Sequence, residues 1–234
     1  MTVAQTQLTL RLTPQEIYRF DNFLFARPET EQALEAFCAL QSLGFVYLCG
    51  ENGTGKTHLL IACAEKVQQN GYRVMYLSMA ELMETADPAV LQSVDQVDLL
   101  CLDELEAITG HRDWEEAVFH CFNRLRDAKG HLLVAAKHSP ANSQITLPDL
   151  RSRLATGLVY QLTKMSDEQK QQALILQSQS RGLSLTEDVA QYLLRHFGRD
   201  MPALMRVLQE LDKASLQAKR KLTIPFIRQV LKSE

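Results

Sequence analysis

FVYLCGENGTGKTHLLIACAEKVQQNG, residues 45–71, holds a strand, a turn and a helix in one stretch. Phe45 to Cys49 is a short continuous apolar run, the pattern of a strand buried on both faces. From His58 to about Gln69, Leu59, Leu60, Ala62, Cys63 and Val67 recur at helical spacing, and Asn70-Gly71 supplies a left-handed stop. Between strand and helix, Gly50 to Thr57 reads GENGTGKT, a full match to GxxxxGK[ST] in the context that gives the pattern physical meaning. Glycines without a Cβ let backbone N–H groups curl round phosphate oxygens, and the helix that follows presents its positive end to the anion. Gly50, Glu51, Asn52, Gly53, Thr54 and Gly55 form the expected cradle. Lys56 supplies charge at the β and γ positions, Thr57 offers a hydroxyl to Mg²⁺, and His58 lies beside the nucleotide. The expected ligand is a nucleoside di- or triphosphate with Mg²⁺.

Outward from this stretch, strands and helices alternate. A helix fits Glu31 to Leu43, with Ala33, Leu34, Phe37 and Leu40 as its stripe. Further strands are expected at Arg73–Leu77, Val97–Leu102, His131–Ala136 and Leu158–Leu162, with helices at 114–129 and around Pro148–Leu154. That alternation implies a parallel, doubly covered five-stranded sheet. After Lys164 the strand signal stops. Ser166 and Gln169 form a capping box, Thr186 opens a second helix that Gly198 closes, Leu204, Val207, Leu208 and Leu211 stripe a third, and Thr223 with Pro225 starts a fourth. The expected organisation is an extended arm over 1–18, an α/β body over 19–165 and a small all-helical unit over 166–234.

Composition narrows the classes. With 46% hydrophobic and 23% charged residues and no apolar run near membrane-spanning length, the chain reads as a globular, non-membrane protein. The opening MTVAQTQLTLRL lacks the marks of a secretory signal, so a cytoplasmic location is expected. Five scattered cysteines without a CxxC pair argue against a disulfide framework or a zinc site. A net charge of −3 gives no global signature of nucleic-acid binding, so any DNA contact is expected to be indirect or weak, and the Lys219-Arg220-Lys221 run reads as a solvated helix end.

Asp103 and Glu104 follow directly on an apolar strand, which places both carboxylates at the carboxyl edge of the sheet where ligands of open α/β folds lie. Asp103 is the expected Mg²⁺ partner through water, and Glu104 the expected orienter of an attacking water. Trp114 reads as core, and His120 as a packed or surface histidine.

Several segments together are similar to one family. FDNF (Phe20 to Phe23), GKTHLL, VDLLCLDELEAITG followed by FNRLRD, and LRSRLATGL (Leu150 to Leu158) resemble the DnaA/Hda family of bacterial replication proteins, of the AAA+ class. The resemblance spans nearly the whole chain. It implies an AAA+ body with a helical lid, adenine nucleotides as the expected ligand, and Phe20, Asn22 and Met201 near the base. It further implies that Arg153 acts as an arginine finger in trans, with Arg151 the neighbouring alternative. The sequence ends soon after the helical unit, which favours the family's shorter regulatory type. Gln7, Leu8, Leu10 and Leu12 resemble the short peptide that docks on the DNA polymerase III sliding clamp. The implied function is negative regulation of replication initiation: docked on the clamp, the chain stimulates hydrolysis of the ATP held by DnaA. A homodimer or higher oligomer is a further possible arrangement.

Two positions depart from the initiator pattern. The fourth strand ends Ala135-Ala136-Lys137 instead of in a small polar or acidic residue, and Pro202 stands where an initiator carries a lid arginine, with Arg206 one turn on. These departures predict a nucleoside diphosphate held as a structural ligand, with poor turnover of triphosphate. The alternative reading is a helicase-loader-like ATPase acting on single-stranded DNA, using Glu104 for its own hydrolysis.

Overall fold

The computed structural model describes residues 18–41, 44–198, 200–218 and 220–231. Five strands, β1 Phe45–Cys49, β2 Val74–Ser78, β3 Leu99–Asp103, β4 His131–Ala136 and β5 Leu158–Gln161, form one sheet in the order β2-β3-β4-β1-β5. Every neighbouring pair is parallel.

The three inner strands β3, β4 and β1 bury both faces, as their unbroken apolar runs require, while edge strand β5 leaves Leu158 and Val159 exposed. Val46, Leu48, Leu99, Cys101, Leu133 and Ala135 pack on one side against α1 (Pro28–Cys38) and α2 (Lys56–Gln69). Their alternates Tyr47, Leu100, Leu102, Leu132 and Val134 pack on the other against α4 (Arg112–Asp127) and α5 (Pro148–Leu154), where Trp114 is also buried. α3 (Met79–Thr85) and a 3₁₀ segment at Pro88–Gln96 fill the link between β2 and β3.

Element ends differ from the sequence reading by a few residues, for local reasons. α1 begins at Pro28 instead of Glu31 because proline is pre-set for the first helical position, and it stops at Cys38, with Leu40 at φ +53°. Leu43 lies outside the described residues. α2 starts two residues early, at Lys56, directly out of the left-handed Gly55. β3 reaches Asp103 because its ladder with β2 extends to the Ser78–Asp103 pair.

Four further helices, α6 Asp167–Ser180, α7 Glu187–His196, α8 Met201–Ala218 and α9 Ile224–Leu231, enclose a separate apolar core that includes Leu174, Leu193, Leu204, Leu208, Leu211 and Ile227. The Ser166–Gln169 capping box opens α6. Val207 is only half-buried, and Ser215 occupies the next inward turn of α8. Among the described residues no helix is long and apolar enough to cross a membrane.

Candidate nucleotide site

The loop after β1 is held open by its own backbone. Gly53 and Gly55 sit at φ +80° and +90°, where residues with a side chain are strained. Space excludes a Cβ as well: on Gly53 it would stand 2.9 Å from Cδ of Pro202, and on Gly55 it would strike the Phe23 ring. Thr54 closes the turn by donating its hydroxyl to the Glu51 carbonyl at 2.8 Å. Lys56 is buried and donates through Nζ to the carbonyls of Gly50 and Glu51 at 2.7 and 3.2 Å, which holds its ammonium under the loop.

A cleft of about 470 Å³ lies between this loop and the helical unit. Asn52, Gly53, Gly55, Lys56, Thr57 and His58 line its floor. Asp103, Glu104 and Glu106 form one wall, and Met201, Pro202, Arg206 and Arg181 form the roof. Gly50, Glu51 and Thr54 face a second hollow, of about 270 Å³, together with Lys137 and Lys164. Three acids on one wall and three cations on the floor and roof give the cleft charged groups of both signs, as a phosphate–cation pair requires.

Asp103 is 2% exposed. Its Oδ2 accepts from the Tyr76 hydroxyl at 2.9 Å and its Oδ1 from the Glu104 N–H at 2.9 Å. Burial first, then the charge of Asp103, pushes the Tyr76 phenol well above its usual range, so it remains a donor. Glu104 is exposed at φ +55°, a left-handed position rare for a side chain of this size, and its Oε2 accepts from the Ser78 hydroxyl at 2.7 Å. Among the described residues no three acids, histidines or cysteines gather as metal ligands. That donor set fits a hydrated Mg²⁺ held by Asp103, Thr57 and phosphate oxygens, since this ion usually keeps several waters. When bound, the cation would neutralise phosphate charge.

His58, on the floor, meets the chain's first described residues. Its Nε2 is 2.9 Å from the Arg19 carbonyl, so that nitrogen carries the proton, and the rings of Tyr18 and Phe23 lie 5.1 and 5.0 Å away. Burial lowers its pKa to about 4, which keeps the imidazole neutral at physiological pH. Asn22, 2% exposed, binds this segment to α6: its Oδ1 accepts from Arg19 N, its Nδ2 donates to Ser180 Oγ, and its carbonyl accepts from Gln177 Nε2 at 2.7 Å.

Phe20 is a correction: it does not line the cleft. The ring packs beside Phe25 at 6.2 Å, under the Lys66 ammonium, because the 3₁₀ turn at Phe20–Asn22 points Asn22 inward in its place. Phe23 and Tyr18 are the aromatic residues that face the cleft. Sequence reasoning missed Arg181, Gln177, Glu106 and Tyr76. Only Tyr76 carried a signal, through its position on β2 two residues before Ser78, the register partner of Asp103, and so on the same face.

Arg151 and Arg153 do not line this cleft. Both lie in the last turn of α5, with Arg151 exposed and Arg153 half-buried. Among the described residues neither guanidinium makes an ion pair or hydrogen bond. His120 is exposed on α4. Gln7, Leu8, Leu10 and Leu12 lie outside the described residues.

Residues 15–161 match the family profile of the bacterial DnaA ATPase domain, and residues 167–231 match that of the lid domain of Hda. An uncharacterised protein of Haemophilus influenzae is 42% identical over 188 residues, covering 80% of this chain and 81% of its own. Domain III of the Thermotoga maritima replication initiation protein DnaA is similar in fold, with a TM-score of 0.79 at 21% identity over 94% of this chain and 98% of its own. AMPPCP-bound DnaA from Aquifex aeolicus gives a TM-score of 0.66 at 25% identity, over 88% of this chain and 67% of its own.

Proposed function

This chain belongs to the family of bacterial DnaA ATPase domains and carries an Hda-type lid, and from that premise we propose that it restrains replication initiation by acting on DnaA. It holds an adenine nucleotide, in the diphosphate form, in the cleft between the phosphate loop and the lid. Lys56 and the loop N–H groups hold the phosphates, and Thr57 and Asp103 hold Mg²⁺. The bound nucleotide is structural: it joins lid to body, and its own turnover is slow. AMPPCP bound to the Aquifex aeolicus relative supports an adenine nucleotide.

The observation that carries the proposal is the position of Arg153: it stands outside its own cleft, in the last turn of α5, without an intramolecular partner among the described residues. A guanidinium so placed serves a second molecule's phosphates. Inserted beside the γ-phosphate of DnaA-bound ATP, it stabilises charge that develops during phosphoryl transfer, an effect worth about 10³–10⁵ in rate for arginine fingers. The Gln7, Leu8, Leu10 and Leu12 peptide docks on the sliding clamp and concentrates the finger near newly replicated DNA, in the cytoplasm.

The test is hydrolysis of ATP bound to DnaA, with DNA-loaded clamp and wild-type protein, Arg153→Ala, or Gln7→Ala with Leu8→Ala. Loss of stimulation in both mutants is the expected result. No stimulation by the wild type sinks the reading, and turnover driven by single-stranded DNA alone would favour a loader-like ATPase instead.

A further inference from the structure

The carboxylate of Glu115 is fully buried at the start of α4, and none of its partners is a cation. Its Oε1 accepts from Gly110 N–H at 2.9 Å and from Thr146 N–H at 3.0 Å. Its Oε2 accepts from the Thr146 N–H at 3.0 Å and hydroxyl at 2.7 Å, and from Leu147 N–H at 2.7 Å. Three peptide donors and one hydroxyl thus converge on a single side chain. Burial raises its pKa, but these bonds outweigh it and hold the carboxyl below its ordinary range. An ionised group so deep in a protein is costly unless donors satisfy it, and here they come from two separate segments.

Those segments matter for what they lead into. Gly110 follows the 3₁₀ turn that leaves Asp103 and Glu104. Thr146 and Leu147 lead into α5, the helix of Arg151 and Arg153. α5 has only 7 residues, starts at Pro148, and its N-cap Leu147 offers no side-chain cap. So short a helix is not stable alone and takes its direction from its anchors. One anchor is apolar, through Leu150 and Leu154, both fully buried. The other is Glu115, which holds the entry backbone from outside the helix.

Resting on the reading of Arg153 as a finger, the structure assigns to Glu115 the role of positioning residue for α5: it sets the orientation at which the Arg153 guanidinium is presented to the nucleotide of a second molecule. Misplacement of a catalytic group by about 1 Å costs up to about 100-fold in rate, so a loosened anchor acts on the maximal rate and not on docking.

The full chain carrying Glu115→Gln turns one acceptor into a donor facing donors. The expected result is at least about a tenfold loss of maximal DnaA-bound ATP hydrolysis, with unchanged concentration for half-maximal effect. Hydrogen exchange should quicken over 147–154 but not over α2, and affinity for ADP should stay within about twofold, because Glu115 does not line the cleft. Wild-type maximal stimulation by the folded variant overturns the assignment, as does equal loosening of α2 with loss of nucleotide. Should Glu115→Gln fail to fold, Thr146→Val removes only the hydroxyl donor and is read in the same way. Arg153→Ala, run alongside, separates the two ideas. If it stimulates fully, the finger reading falls; if it alone is inactive, only the role of Glu115 does.

Discussion

The ring of Pro202, in the first turn of α8, rests on the backbone of Gly53, so that a β-carbon there would stand 2.9 Å from Cδ. Lid and phosphate loop therefore meet at a residue that has no side chain and a residue that has no charge. Gly53→Ala adds both strain at φ +80° and a clash with the lid. Strain alone costs about 1–2 kcal/mol, and where the free loop relaxes to escape it, ADP binding weakens roughly tenfold. Adding Pro202→Ala should recover only the clash component. Fluorescent-ADP titration of the single and double variants checks this, and full recovery would show that the backbone angle is irrelevant.

Glu104 presents the opposite case, a large side chain where glycine belongs. At φ +55° it occupies the left-handed region beside the buried Asp103. Strain of this kind persists only where the surroundings impose it, here the Ser78 hydroxyl and the turn into Leu105. Glu104→Gly should be more stable than Glu104→Ala by about 1 kcal/mol, since both lose the same hydrogen bond and only one relieves the angle. Urea unfolding decides it; equal midpoints would remove the strain argument.

How much of this was legible beforehand follows from the range of each interaction. The phosphate loop is contiguous, so its glycines, Lys56 and Thr57 can be read directly. The strands are short apolar runs, and β4 lies where that pattern puts it, at His131–Ala136. Arg206 follows Pro202 by about one helical turn, and both line the cleft. Phe20 was misjudged because a single residue decides which side of a 3₁₀ turn faces inward. The Gln177–Asn22 bond joins positions 155 apart, and Glu115 reaches Thr146 across 31. Such partners are isolated polar residues with no periodicity, so no local pattern announces them.

His58 should make stability depend on pH. Its folded pKa of about 4 lies below the ordinary value of 6.5, so the unfolded chain takes up the proton first as pH falls. Its contribution is complete above about pH 6.5 and declines through to about pH 4, by roughly 1–3 kcal/mol at most. His58→Asn keeps a donor for the Arg19 carbonyl and removes the titration. The wild type should lose stability between pH 6.5 and 4.5 more steeply than this variant; parallel curves would mean that His58 is not held neutral.

Asn22 joins the segment before α1 to the lid, and the prediction concerns both stability and ligand. Its side chain serves Arg19 N and Ser180 Oγ, and it is 2% exposed, so Asn22→Ala leaves two groups without that partner in a part-buried place. The cost should be about 1–3 kcal/mol. The Gln177 bond to the Asn22 carbonyl survives, because it uses backbone, and α6 should remain near the body with a looser hinge. A looser hinge weakens nucleotide binding in proportion to the fraction of molecules with the lid open. ADP affinity should therefore fall in Asn22→Ala and fall further with Gln177→Ala, while Lys56 keeps its bonds to Gly50 and Glu51 in both. Calorimetric titration, with hydrogen exchange over α6 as the local readout, separates this from collapse of the loop. Quickened exchange at α6 with unchanged affinity would mean that the lid does not grip the nucleotide at all.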